Sequence, residues 1–206
     1  MERTFDEPGL DATVNPLQRF ARLLETARAT PGIIDATAMT LATVSAEGRP
    51  SARIVLLKDV DAGGLAFYTN YHSRKGREIL ARPDVALVFH WAQLEVQVRF
   101  EGRAVKVSAE EADAYFASRA RGSQLGAWAS HQSAELSSRE ELEARLDEVT
   151  GRYQGREVPR PPHWSGFRVA PTLVEFWKGR PSRLHEREVF TRAAPGEPWS
   201  ARLLNP

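Results

Sequence analysis

Cations, hydroxyls and amides are the groups this chain offers for chemistry, and the densest set lies in residues 53–75, RIVLLKDVDAGGLAFYTNYHSRK. Ser73, Arg74 and Lys75 stand at a helix start, to judge by the apolar Ile79 and Leu80 that follow. Ser73 suits an N-cap. The two cations sit at the positive pole of the helix dipole, which is the unfavourable end for them. Free backbone N–H groups, a hydroxyl and two cations at one helix start make sense if an anion binds there. A solvated basic turn explains Ser-Arg-Lys alone equally well. Arg53 and Lys58, at the two ends of the neighbouring apolar run Ile54, Val55, Leu56, Leu57, favour a phosphate site.

Three further groups carry polar chemistry. Tyr115, Arg119 and Ser123 recur every four residues and share one face if a helix persists that far. A phenol, a guanidinium and a hydroxyl suit a second phosphate, whereas a core tyrosine beside a solvated arginine is the plainer alternative. Arg183, His185 and Arg187 alternate on an expected strand and so point to one side. Burying three unpaired basic groups costs several kcal/mol, so that side is solvent or an anion-binding cleft. Trp177 on the preceding strand offers a flat wall, although a lone tryptophan is more often core. Gln97 within an apolar strand and Gln132-Ser133 between helices supply amides and a hydroxyl able to read a planar heterocycle, a weak signal on its own.

The elements that must position these groups follow from periodicity and caps. Residues 1–13 are polar and read as a loose segment. Asn15-Pro16 opens a helix with Leu17, Phe20, Leu23 and Leu24 on one stripe, closed by Pro31-Gly32. Met39, Leu41 and Thr43 mark a strand ending at Glu47-Gly48. The run 54–57, apolar on both faces, reads as a buried strand; Asp61 to Gly64 supplies a turn, and 65–70 a further strand. A helix is expected over 73–82. Val85, Leu87, Phe89 and Trp91, then Leu94, Val96, Val98 and Phe100, mark two more strands. Beyond Gly102 the apolar positions become odd, Val105 and Val107, which predicts a bulge or barrel corner. Ser108 with Glu111 and Ser138 with Glu141 are capping-box patterns, the second opening a helix with Leu142, Leu146 and Val149 on a stripe. Pro159, Pro161 and Pro162 mark a loop; 166–169, 173–177, 183–190 and 199–203 read as strands. The sum is a small antiparallel barrel with helices packed outside.

Composition bounds the function. At 206 residues the chain makes one sizeable domain, and 28 Lys+Arg against 27 Asp+Glu leave no field to attract nucleic acid or an anionic membrane. Anion recognition must therefore be local. No cysteine is present, which excludes disulfides, thiolate metal sites and a cysteine nucleophile and fits a reducing compartment. No apolar run reaches membrane-spanning length and the first residues lack a signal core, so a cytoplasmic location is expected. There is no GxGxxG, P-loop, HExxH or GxSxG, and five scattered histidines give no metal spacing.

Taken together, RIVLLK (53–58), FYTNYHSRKG (67–76), YFASRARGSQLGAWASHQS (115–133), HWSGFRV (163–169) and EFWKGRPSRLHER (175–187) closely resemble the pyridoxamine 5′-phosphate oxidase family. The similarity runs from about residue 36 to 190. It implies an antiparallel, Greek-key-like, FMN-binding split β-barrel spanning 14–206, with a dimerisation and substrate region at about 164–206. It implies that Arg53, Arg74 and Lys75 hold the FMN phosphate and that Ile54, Val55, Leu56, Leu57, Lys58, Tyr68, Thr69, Gln97, Gln132, Ser133, Trp177 and Arg187 complete the flavin site. Lys58, Tyr115, Arg119 and Ser123 are then the substrate-phosphate ligands, and Arg183 and His185 cover the reacting ring as catalytic residues. The implied reaction converts pyridoxamine or pyridoxine 5′-phosphate to pyridoxal 5′-phosphate with O₂ as acceptor, giving H₂O₂, and NH₃ from the amine. The implied assembly is a homodimer with FMN at its interface. Two departures stand out: Glu2 and Phe5 replace the arginine and tyrosine usual near the substrate, and the C-terminal Arg202-Leu203-Leu204-Asn205-Pro206 is one residue longer than usual, leaving the pairing of the last strand open. A same-fold oxidase of another heterocycle, of the phenazine-biosynthesis type, and a non-catalytic flavin or pyridoxal-phosphate carrier are the competing readings.

Overall fold

The computed structural model describes residues 15–206; the segment 1–13, with Glu2 and Phe5, lies outside them. Among the described residues the strands β1 (Ala38–Val44), β2 (Pro50–Leu56), β3 (Asp59–Asp61), β4 (Gly64–Asn70), β5 (Asp84–Trp91), β6 (Val96–Lys106), β7 (Trp164–Lys178), β8 (Glu186–Thr191) and β9 (Ser200–Leu203) form one antiparallel sheet. Its order is β2-β1-β5-β6-β7-β4-β3, with β8 and β9 branching from the second half of β7. The helices are α1 (Pro16–Ala29), α2 (Arg74–Ala81), α3 (Ala109–Ser118), α4 (Arg121–Ala129) and α5 (Arg139–Arg152).

Two adjacent residues curl this sheet. The Leu57 N–H donates to Thr37 O beside β1, and the Lys58 N–H donates to Ala66 O in β4, both at 2.9 Å. Neighbours in sequence are thus bonded to strands near opposite ends of the order, and the sheet bends into a split barrel. The apolar stripe of α1 closes one core: Phe20 is fully buried, its ring 4.8 Å from Phe89 and 4.9 Å from Phe100. Each such ring contributes roughly 1.5–3 kcal/mol of burial. A second, smaller core of Phe116, Leu125, Ala129, Val149, Val158 and Trp164 ties α3, α4 and α5 to the start of β7.

Several expected elements differ. The run 54–57 is not buried on both faces: β2 lies at one end of the sheet order, and Ile54 is 63 % exposed. Its outward apolar side chains line a cleft instead of a core. The parity change past Gly102 does not move the core face either, because Ala104 is buried and Val105 exposed. The irregularity is real but falls on the partner strand, where Glu101 pairs with Leu173 and Gly102 with Pro171, skipping Thr172. Gly102 is required there, since a Cβ would stand 2.3 Å from Ala170 O. The two strands expected at 166–169 and 173–177 are one continuous β7 bent at this bulge. In α5 only Val149 of the expected stripe is buried. The last strand pairs antiparallel with β8, Glu188 opposite Leu203, and the longer tail is tied by Leu204 N–H to Arg187 O at 2.9 Å.

The helix carrying Tyr115 does not persist to Ser123. It ends at Ser118, Arg119 takes an extended backbone as C-cap, and α4 begins at Arg121. Nor does the strand reach back to Arg183: a 3₁₀ turn occupies Pro181–Arg183, Ser182 and Arg183 have φ of 58° and 62°, and β8 starts at Glu186. Arg183, His185 and Arg187 therefore do not alternate along one strand.

Candidate active site

A cleft of about 720 Å³ opens between β2, β4 and the α3–α4 pair. Ile54, Val55 and Leu56 of β2 border one wall, and Tyr68, Thr69 and Asn70 of β4 form the next. Lys58 and Lys75 border it, as do Tyr115, Arg119 and Ser123. Although the helix breaks at Arg119, these last three still converge on the cleft, because α3 and α4 turn around it. Helix α4 adds small side chains at 3- and 4-residue spacing, Ser123, Gly126, Ala127 and Ser130, which leave room for a flat ligand. That small face is spelled out in SQLGAWAS, residues 123–130, but its direction depends on α4 beginning at Arg121.

One end of the cleft is built on the start of α2. Ser73 caps it, its hydroxyl accepting from Gly76 N–H at 3.2 Å. Gly76 packs so close to the preceding turn that a Cβ would lie 2.5 Å from Tyr71 O. Arg53 and Arg74 converge on Glu78, at 3.2 and 2.9 Å, and Thr43 and Ser51 donate to the same carboxylate. Burial opposes its charge, but the hydrogen bonds from Thr43, Ser51 and Arg74 outweigh it and hold the Glu78 carboxyl down at about 2. Glu78 was not singled out from sequence; its place four residues after Arg74 was the available signal. Burial, opposed by Glu78, draws the Arg53 guanidinium below its ordinary value.

Lys75 differs from its neighbours. Its Nζ faces Gln132 Oε1 at 3.1 Å, Thr69 Oγ1 at 3.3 Å and Ser73 Oγ at 3.5 Å, with no carboxylate among the described residues. Burial, and then the Arg53 charge, depress its pKa. At the other end, burial likewise depresses Arg119, and its Nη1 is buried without a hydrogen-bond partner. A half-buried ammonium and a half-buried guanidinium with one buried, partnerless nitrogen in one cleft are what two anionic groups would satisfy. The polar atoms present thus fit a phosphorylated flavin beside a phosphorylated ring. Tyr68, whose hydroxyl donates to Glu111 at 3.2 Å, is pushed well above the ordinary phenol range by burial and by that carboxylate, so it serves as a neutral donor.

The structure does not bring every expected residue here. Leu57 is in the core, 3 % exposed, and does not line the cleft. Ser133 follows Gln132 with φ 69° and is exposed outside the cleft lining. Gln97, Trp177 and Arg187 lie side by side across β6, β7 and β8 on another part of the barrel. The His185 ring is 4.5 Å from Trp177, and His185 Nδ1 accepts from Arg180 N–H at 3.1 Å. Arg187 pairs with Glu175 at 2.8 Å. Arg183 is exposed beside them. These five residues form a second cluster that lines none of the first cleft.

The fold is that of the FMN-binding split barrels. The chain aligns with PhzG from Burkholderia lata 383, solved in complex with tetrahydrophenazine-1-carboxylic acid, at TM-score 0.88 and 32 % identity over 100 % of this chain and 98 % of that one. A pyridoxamine 5′-phosphate oxidase-related, FMN binding protein from Nostoc punctiforme shares the fold at TM-score 0.73 and 19 % identity, covering 94 % of this chain and 100 % of that one. Residues 26–153 match the family model for pyridoxamine 5′-phosphate oxidase, and 164–206 match the pyridoxine 5′-phosphate oxidase C-terminal dimerisation region. The chain belongs to the pyridoxamine 5′-phosphate oxidase family. Relatives named pyridoxine/pyridoxamine 5′-phosphate oxidase include one from Myxococcus xanthus, 58 % identical over 93 % of this chain and 92 % of its own length. Another, from Rubrobacter xylanophilus, is 53 % identical over 100 % and 95 %. No helix among the described residues is long and apolar enough to cross a membrane.

Proposed function

We infer that this chain is an FMN-dependent oxidase of pyridoxamine and pyridoxine 5′-phosphates, producing pyridoxal 5′-phosphate as a homodimer. The observation that carries the reading is the pairing, within one cleft, of a carboxylate-free Lys75 at one end with the buried, unpartnered Arg119 Nη1 at the other. Lys75, Arg74, Arg53 and the capped start of α2 hold the cofactor phosphate. Ile54, Val55 and Leu56 provide an apolar wall for its ring, and Thr69 and Gln132 provide polar groups at the ring edge. Lys58, Tyr115, Arg119 and Ser123 hold the substrate phosphate, fixing the reacting carbon by proximity. Bound FMN supplies the two-electron oxidant, regenerated by O₂ as H₂O₂ forms. With the cofactor carrying the chemistry, the protein needs no strong general base.

The second cluster explains the dimer. Gln97, Trp177, Arg183, His185 and Arg187 of one copy cover the cleft of the other, and the match of 164–206 to a dimerisation region supports that arrangement. A phenazine-type oxidase is the second reading, favoured by the 0.88 TM-score to PhzG. The higher identity to the Myxococcus relative and the four phosphate-compatible groups Lys58, Tyr115, Arg119 and Ser123 weigh against it. An oxygen electrode decides. FMN-supplemented protein should consume O₂ with pyridoxine 5′-phosphate, forming H₂O₂ and pyridoxal 5′-phosphate one for one. FMN-loaded protein that consumes none with either phosphorylated vitamer refutes the reading.

A further inference from the structure

We propose that Trp164 is a positioning residue for the substrate phosphate, acting through Arg119; this rests on the reading above that the Arg119 guanidinium receives that phosphate. Trp164 lies in the HWSGFRV stretch, yet none of the roles described so far uses it. It is the first residue of β7, 7 % exposed, paired with Asn70 of β4, and it borders the cleft.

The Arg119 side chain makes no hydrogen bond or ion pair with any described residue. What holds it is aromatic: its Cζ stands 4.6 Å over the Trp164 ring and 5.6 Å from the Phe116 centroid. Its backbone is fixed separately, as the cap of α3, with Arg119 N–H donating to Phe116 O at 3.2 Å. A guanidinium held over an aromatic ring gives up none of its N–H donors to its support. A carboxylate partner would have fixed the same head group but taken the donors that a phosphate needs. The indole therefore orients the cation without competing for its hydrogen bonds.

The ring itself is clamped. Trp164 is near-parallel to Tyr68, 5.5 Å and 8° apart, and to Tyr115, 6.1 Å and 9° apart, while Tyr68 and Tyr115 are 4.0 Å apart at 17°. Phe116 meets it edge-on at 5.1 Å. The far end of the stack is pinned by Glu111, which accepts from the Tyr68 hydroxyl and, at 2.9 Å, from Arg168. Strand β4, helix α3 and strand β7 thus meet in one rigid block beneath a single cation.

The test is a comparison of Trp164→Phe and Trp164→Leu with wild type, all as full-length FMN-loaded protein. Affinities for pyridoxal 5′-phosphate and for unphosphorylated pyridoxal are measured by equilibrium titration, alongside FMN affinity and thermal midpoint. Wild type is expected to prefer the phosphorylated ligand. Trp164→Leu should cut that preference roughly tenfold and Trp164→Phe about threefold, with pyridoxal and FMN affinities unchanged. Equal losses for both ligands would reveal a merely structural role and overturn the proposal, as would an undiminished preference in Trp164→Leu. Should Trp164→Leu not fold, Trp164→Phe decides alone, and a preference equal to wild type overturns the proposal. A wild type without phosphate preference instead refutes the reading of Arg119 itself.

Discussion

Lys75 Nζ donates to the side-chain amide Oε1 of Gln132 at 3.1 Å, joining the start of α2 to the loop after α4. An amide oxygen accepts a hydrogen bond from the ammonium but cannot neutralise it. Two steps away, Arg53 and Arg74 share the carboxylate of Glu78. The cations of β2 and the α2 start therefore have unequal duties: Arg53 and Arg74 are held by an internal carboxylate, and Lys75 is left with its charge uncompensated.

Glu78 should make stability pH-dependent. Its folded pKa of about 2 lies below the ordinary 4.5, so its contribution is complete above about pH 4.5 and disappears as pH falls towards 2. The difference corresponds to at most about 3 kcal/mol. Glu78→Gln should lower stability at pH 7 and flatten the loss between pH 5 and 2, as read by urea unfolding across that range. A variant with the wild-type pH slope contradicts the assignment.

Arg119→Met should raise KM for pyridoxine 5′-phosphate about 10- to 100-fold, the worth of a charge-assisted hydrogen bond, with FMN affinity unchanged. Stability should change little, because no described residue loses an ion pair or hydrogen bond with that head group. Steady-state kinetics and a thermal melt check both halves. An unchanged KM contradicts the substrate-phosphate role.

Much of this was legible beforehand. The stripe of α1, the Ser73, Ser108 and Ser138 caps, and the turn held by Asp61 Oδ1 are local features, and each formed as spacing and side-chain chemistry predict. The failures arise where a ligand cleft or a local break overrides the pattern. Ile54 reads as core because apolar residues that line a ligand cleft have the same pattern as residues that fill a barrel. Arg119 and Ser123 look like one helical face, yet reach the same cleft through a broken helix. Arg183 ends a 3₁₀ turn at φ 62°, and His185 precedes the first residue of β8, an arrangement that alternation cannot reveal. Trp164 falls in the HWSGFRV stretch but nothing there points to a role for it, since a stacked platform exists only after β4, α3 and β7 have met.

The separation of the two clusters predicts complementation between subunits. On the proposed function, a chain carrying Lys75→Met and Arg119→Met should supply no working cleft, and one carrying Arg183→Ala and His185→Ala should supply no cover. Each homodimer should be inactive, and co-expression should restore about a quarter of wild-type activity, since half of random dimers hold one intact site of two. Mixed dimers without activity would place both clusters in the same subunit's site or remove the second from the reaction.

The most direct measurement is a fluorescence titration of apo-protein with FMN and, in parallel, with riboflavin, which lacks the phosphate. One FMN should bind per protomer, riboflavin should bind at least tenfold more weakly, and Lys75→Met should erase most of that difference. Protein that binds neither flavin, or that binds both equally, contradicts a cleft organised around phosphoester recognition.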